Sequence, residues 1–188
     1  MTDEERWVSG ALAGDEDAFE RLLLPHRQGM MNLAFRMTGN FESAEEICQE
    51  AMIKVFKYLP RFQVGRSFRN WAFKITTNAA FDYLRRQKRE EGIIETRKHA
   101  DVHAAPSPEK SVLNREIGRR LQSCLEYLTP KERMVFLLRD AEGFSVKETA
   151  GLLQSSSMAV RTHLSRARSK LRMRYPDARS LATGEEER

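Results

Sequence analysis

Cysteine is nearly absent from this 188-residue chain: Cys48 and Cys124 are the only two. So distant a pair builds neither a disulfide framework nor a metal-ligand spacing. Two buried thiols in a reducing cytosol are expected, with a redox switch the weaker reading. Glycine and proline are sparse, at ten and six. No stretch alternates apolar with polar residues, so no strand is expected. The longest aliphatic and aromatic run is MVFLL at 134–138, too short to cross a bilayer. The opening MTDEERW is acidic and lacks the basic–apolar pattern of a signal peptide. A cytoplasmic chain with no direct membrane insertion follows as the expectation. Paired carboxylates, a nucleophile–base set and a phosphate loop are also missing. That argues against an enzyme, a small-molecule substrate or a cofactor. His99 and His103 stand four apart but no further ligands flank them, so no metal is expected either.

What is present is helical pattern and segregated charge. The formal net charge of +5, from 32 bases and 27 acids, hides a strong asymmetry. Residues 1–50 hold eleven acids against four bases; residues 61–89 hold eight bases and one acid, Asp82. Such segregation predicts two kinds of partner surface. The most telling stretch is 145–174, SVKETAGLLQSSSMAVRTHLSRARSKLRMR. It reads as two helices joined by a tight turn. Ser145 with Glu148 forms a capping box for the first, and Ser156 or Ser157 can cap the second. Gln154 stands in the turn, where many helix-turn-helix units carry glycine. At 100° per residue, Val160, Leu164, Ala167 and Leu171 make one narrow apolar stripe, expected to pack on the preceding helix at Ala150, Leu152 and Leu153. Arg161, Thr162, Ser165, Arg166 and Ser169 fall on the opposite, outward face. With six basic residues and no acid, that second helix suits a polyanion such as DNA.

The rest of the chain reads as further helices. Thr2 with Glu5 boxes a first helix ending near Gly14. A long helix follows from about Asp17 to Thr38, kinked or split at Pro25 and ended by Gly39-Asn40. Ser43 with Glu46 is expected to cap the next, which Pro60 stops. Its inner stripe is Ile47, Ala51, Val55 and Leu59; its outer face carries Glu46, Gln49, Glu50 and Lys57, with Ile53 in their midst. A loop over 58–67 leads to a helix capped by Ser67 and running from Phe68 to about Arg89. Phe68, Trp71, Ala72, Ile75 and Ala79 mark its core side, with Trp71 at the border. Asn70, Lys74, Thr77, Asn78, Phe81 and Arg85 gather on another face. Cations that track phosphates, amides that read base edges and rings that stack are what single-stranded nucleic acid requires. Pattern is lost over 90–106. A helix restarts at Ser107-Pro108 and runs through Val112, Ile117, Leu121 and Cys124 to Leu128. Another, boxed by Thr129-Pro130-Lys131-Glu132, ends before Gly143. The expected architecture is all-α: two small helical domains, 1–89 and 107–176, the second with the helix-turn-helix, joined by a flexible linker at 90–106 and followed by an acidic tail at 177–188.

Four segments resemble a known family in order and spacing: AEEICQEAMIKVFKYLPRF (44–62), SFRNWAFKITTNAAFDYLRRQKR (67–89), LTPKERMVFLLRDAEGFSVKETAGLL (128–153) and MAVRTHLSRARSKLR (158–172). The chain is similar to a minimal bacterial RNA polymerase sigma factor of the extracytoplasmic-function group. The resemblance implies an alternative sigma factor that binds core RNA polymerase, through the β′ clamp helices and the β flap, and helps open promoter DNA. It places Glu46, Gln49, Glu50 and Ile53 against the clamp, with Glu46 standing where family members often carry aspartate. It assigns the −10 element, as an opened strand, to Tyr58, Arg66 and Ser67 of the loop and to Asn70, Trp71, Lys74, Asn78 and Arg85 of the helix. The loop would hold a flipped base. The duplex −35 element falls to Arg161, Thr162, Ser165 and Arg166, with His163 near phosphate. An anti-sigma factor as inhibitor is implied as well.

Two rivals compete with that reading. A free-standing helix-turn-helix regulator accounts for 145–174 but not for the basic–aromatic face at 70–85. An enzyme acting on nucleic acid needs a carboxylate cluster or activated nucleophile facing the basic surfaces, whereas the acids gather on helix faces within 1–50.

Overall fold

The computed structural model describes residues 2–93 and 122–174, and every regular element among them is helical. They fall into two compact units. The first contains α1 (Asp3–Leu12), α2 (Glu16–Thr38), α3 (Phe41–Tyr58), a 3₁₀ turn at Leu59–Arg61 and α4 (Phe68–Ile93). The second contains a helical turn at 122–125, α5 (Pro130–Phe136), a π-helical turn at Leu137–Ala141, most of α6 (Val146–Leu152) and α7 (Ser157–Arg174).

Capping chemistry sets most of these boundaries. The Thr2–Glu5 box opens α1, and Asp15 caps α2 through the Ala18 N–H. α2 runs unbroken through Pro25, so of the kink or split expected there the split does not occur. Gly39, at φ 74°, ends it in the left-handed region that glycine occupies without strain. α3 starts earlier than the sequence suggested. Its cap is Asn40, whose Oδ1 accepts the Ser43 N–H at 2.9 Å. Ser43 instead meets the Tyr83 hydroxyl at 2.7 Å, and Glu46 turns toward Arg86. Local spacing offered a capping box at Ser43; the tertiary partners Tyr83 and Arg86 took both of its side chains.

In the first unit α2 packs on α1, α3 and α4, and α3 packs on α4. Gly10 permits the α1–α2 approach, because a Cβ there would lie 2.8 Å from the Ala18 Cβ. The expected α3 stripe is sealed: Ile47, Ala51 and Val55 are wholly buried and Leu59 nearly so. On α4, Phe68, Ala72 and Ala79 are buried as expected, but Phe73, Thr76, Thr77, Ala80 and Tyr83 are buried too. Thr77 therefore leaves the polar face to which the sequence assigned it. Trp71 and Ile75 are half-exposed. α4 also continues to Ile93, four residues into the segment read as linker. The remainder of that segment, the start of the helix expected at 107 and the acidic tail lie outside the described residues.

In the second unit the core position near the end of the 107–128 helix is Leu125, wholly buried, with Leu128; Cys124 is only half-buried. The Thr129–Glu132 box opens α5 as expected. Ser145 and Glu148 exchange hydrogen bonds of 2.8 and 3.1 Å at the start of α6, and Ser156 caps α7 through the Ala159 N–H at 3.1 Å. Gln154 adopts φ 49°, the left-handed turn conformation normally left to glycine. Val160, Leu164 and Ala167 are buried, but α7 packs chiefly on α5. The preceding helix, expected to receive that stripe, is not its main partner; α5, equally seven residues long, takes that place.

Candidate nucleic-acid and protein interfaces

Cations on α7 divide into two sets. Arg168 forks onto Asp140, with Nε and Nη2 donating at 2.9 and 2.6 Å. Lys170 donates to Glu132 at 2.6 Å. Arg174 donates to the Tyr127 hydroxyl at 2.9 Å and lies over its ring. These three pin α7 to its own unit. Burial alone would raise the Glu132 carboxyl, but the Lys170 ammonium and the Thr129 N–H and hydroxyl outweigh it and hold the group below its ordinary value. Arg161, Arg166 and Arg172 are exposed and have no ion-pair partner among the described residues. The face at Arg161, Thr162, Ser165 and Arg166 is exposed throughout. His163 departs from it: the residue is half-buried, and its Nδ1 is enclosed without a hydrogen-bond partner. Half the charge that drew attention to this helix thus holds it in place, and the other half is free to meet a ligand.

On α4, Asn70, Lys74, Asn78 and Arg85 share one face about 80° wide, with Trp71 at its edge. Asn78 and Arg85 are exposed; Asn70, Trp71 and Lys74 are half-exposed. Ser67 Oγ caps the helix by accepting the Asn70 N–H at 3.2 Å, so it shapes the site as well as bordering it. The Phe68 N–H donates to Glu4 of α1 at 3.3 Å. Trp71 packs on Phe62 and Phe68, with ring centroids 5.2 and 5.7 Å away. One part of the indole is fixed in that cluster while another part meets solvent. Arg85 is paired with Asp82 one turn back.

The structure regroups the loop residues. Arg66 and Ser67 line a cleft with Phe62, Val64 and Gly65 of the loop and Thr2, Glu4, Glu5 and Val8 of α1. Tyr58 does not join them. It lines a shallow open depression with Glu46, Gln49, Glu50, Ile53, Lys54 and Lys57, and Arg61 stacks over its ring at 5.3 Å. All four residues assigned to protein binding are thereby brought to one surface, with Ile53 60% exposed at its centre. Phe56, 62% exposed, lies on the next turn of the same helix and meets the Phe19 ring edge-on at 5.3 Å.

Sequence reasoning missed Arg86. Its guanidinium bridges Glu46 at 3.3 Å and Glu50 at 3.2 Å and lies 5.8 Å from the Tyr83 ring. The hydrogen bond from Lys54, then that from Arg86, hold the Glu50 carboxylate below its ordinary range despite burial. Forty residues separate Arg86 from Glu46, so no local pattern could reveal the pair. The buried Cys48 thiol is raised to about 11 by burial. It stays protonated at neutral pH, which removes the thiolate a redox switch requires. Among the described residues no cluster of side chains could hold a metal ion, and no helix is long and apolar enough to cross a membrane.

Comparison with known proteins decides what these surfaces belong to. Sigma-70 region 2 matches residues 22–90, and sigma-70 region 4 matches residues 118–171. The chain belongs to the sigma-70 family of RNA polymerase sigma factors, in its extracytoplasmic-function group. It is similar to the ECF RNA polymerase sigma factor SigE of Mycolicibacterium smegmatis, with 33% identity over 85% of this chain and 63% of that protein. It is similar also to SigW of Bacillus subtilis, with 29% identity over 87% of this chain and 92% of that protein. Two solved structures share the fold. One is the sigma factor RpoE of Bartonella quintana in complex with the anti-sigma factor NepR, at TM-score 0.73 and 21% identity, covering 85% of this chain and 97% of that one. The other is CnrH in complex with the cytosolic domain of CnrY, at TM-score 0.70 and 23% identity, covering 93% and 98%. Region 2 thus carries the α3 depression and the α4 face, and region 4 carries the α7 face.

Proposed function

We propose that this chain directs core RNA polymerase to promoters by docking through the α3 depression, holding the opened −10 strand on α4 and reading the −35 duplex with α7. The observation that carries this is the pairing, within region 2, of an acidic surface with an exposed isoleucine and a separate face of amides, cations and a half-exposed tryptophan. A helix-turn-helix regulator needs neither. Glu46, Gln49, Glu50 and Ile53 meet the β′ clamp helices: Ile53 supplies apolar contact and the carboxylates supply register. Lys54 and Arg86 favour the charged form of Glu50, and Arg86 orders both carboxylates before docking.

At the −10 element the amides of Asn70 and Asn78 face base edges, Lys74 and Arg66 neutralise phosphate, and the open part of Trp71 offers a stacking surface. A base turned out of the stack enters the cleft between the loop and α1. Unstacking costs a few kcal/mol, which contacts inside the cleft offset. On the −35 duplex the N-terminal half of α7 enters the major groove. Arg161 and Arg166 supply guanidinium donors for guanine or phosphate, and Thr162 and Ser165 supply hydroxyls. His163 positions rather than reads, since its inner nitrogen is enclosed. Polymerase performs the chemistry, and the chain works in the cytoplasm beside it, with its β flap against region 4.

Control by an anti-sigma factor fits the same surfaces. The solved relative RpoE, in complex with the anti-sigma factor NepR, supports it, and such an inhibitor would cover the α3 depression and the basic faces. Reconstitution with core polymerase, followed by genome-wide mapping of transcript starts, tests the proposal. Starts preceded by a shared pair of elements are expected. Absence of association with core enzyme, with any inhibitor removed, would overturn it.

A further inference from the structure

Met158 is 75% exposed on the first turn of α7, and nothing among the described residues accounts for an apolar side chain there. At 100° per residue it lies on the same stripe as Thr162, Ser165 and Ser169, with Arg161 and Arg166 on either side. It is therefore at the centre of the outward face, one turn nearer the N-terminus than the residues the resemblance singled out. Its carbonyl accepts the Thr162 hydroxyl at 3.0 Å. That bond turns the Thr162 hydroxyl back along the helix. Recognition helices present their N-terminal residues to base edges, and the one apolar group on the floor of the major groove is the C5-methyl of thymine.

We propose that Met158 is a specificity-determining residue of the −35 interface and selects a thymine by enclosing its methyl group. The inference rests on α7 reading the −35 duplex. Thioether and methyl are both soft and weakly hydrated, so their contact releases water that neither holds well. A flexible, unbranched side chain fits a base whose position varies slightly between promoters. Met173, also 75% exposed on α7, provides an internal comparison. It stands fifteen residues further on, about 22 Å along the axis, beyond a groove about 12 Å wide.

The test uses holoenzyme made from the full chain and core polymerase, on a promoter found by start mapping. Each thymine of the −35 element, on either strand, is replaced in turn by deoxyuridine, which lacks only the methyl. For the wild-type chain, initiation is expected to fall about four-fold at one thymine, the factor given by burying one methyl-sized group at about 0.8 kcal/mol. Met158→Ala should abolish that discrimination, and Met173→Ala should preserve it. If no thymine responds in the wild type, or if Met158→Ala responds as the wild type does, the inference falls. Arg166→Ala separates the two failures. If it removes −35 dependence while Met158→Ala changes nothing, α7 still reads the element and only the role of Met158 is wrong. If −35 dependence is undiminished by Arg166→Ala, the premise itself fails.

Discussion

Arg166 and Arg168 are two residues apart on one helix, yet they have opposite fates. Arg168 is forked onto Asp140, whereas Arg166 is exposed with no ion-pair partner among the described residues. Arg166→Ala should therefore leave the urea unfolding midpoint nearly unchanged, within about 0.5 kcal/mol, while costing about 1–3 kcal/mol of −35 discrimination in run-off transcription. Arg168→Ala should do the reverse, lowering stability first. On α4, Asn78 is exposed and Thr77 beside it is buried. Asn78→Ala should weaken −10 recognition by about 1 kcal/mol or more while holoenzyme assembly is retained. An equal loss on every −10 variant in competition assays would remove base reading from that residue.

At the scale of elements, the turn between α6 and α7 depends on a glutamine in a glycine conformation. A side chain in the left-handed region costs about 1–2 kcal/mol, and β-branching raises that cost. Gln154→Gly should match or exceed the wild type in stability, and Gln154→Val should fall below it by about 1 kcal/mol or more. Equal midpoints for all three in urea titrations would contradict the turn geometry. Glu132 serves two ends at once, boxing the start of α5 and holding Lys170 of α7. Glu132→Ala should cost about 2 kcal/mol, from a lost cap and a broken, partly buried ion pair. The Glu132 carboxyl sits below its ordinary 4.5 when folded. Its contribution is therefore present above that pH and is lost as pH falls through the lower folded value. Glu132→Gln should flatten the acid limb of the stability profile.

Elements were legible in the sequence wherever their signals were local. Three of the four expected capping boxes formed, because their partners lie three residues apart and stay in place even where a second partner shares the carboxylate, as Lys170 does at Glu132. The fourth, at Ser43, lost its side chains to Tyr83 and Arg86, forty residues away. Periodicity found the α3 stripe but misplaced Thr77, since two β-branched hydroxyl residues in a row, Thr76 and Thr77, give no hint that both are buried. The α7 stripe was identified correctly while its partner was not. Facing α5 rather than α6 is a matter of tertiary geometry, which helix periodicity does not encode. Of the site, the α3 face and the outward residues of α7 were readable from spacing. The enclosed nitrogen of His163 and the placing of Tyr58 with the α3 depression were not.

At the scale of the molecule, acids of α3 and bases of α4 lie on separate faces yet are tied by Arg86. Introducing charge at the centre of the depression, Ile53→Glu with Gln49→Glu, should abolish association with core polymerase in co-purification, because the added charges replace an apolar contact. The fold should survive, since both positions are exposed. Normal holoenzyme assembly by that variant would move the docking surface elsewhere.

We propose that one chain grips a promoter at two places, one of them strand-separated, only when docked on polymerase. Permanganate reactivity of unpaired thymines on a mapped promoter measures this directly. With chain and core enzyme together, reactive thymines are expected in and just downstream of the −10 element, with protection extending to the −35 element; with either component alone, none are expected. Protection of a duplex site by the chain alone, with no unpaired thymine when polymerase is added, would contradict it.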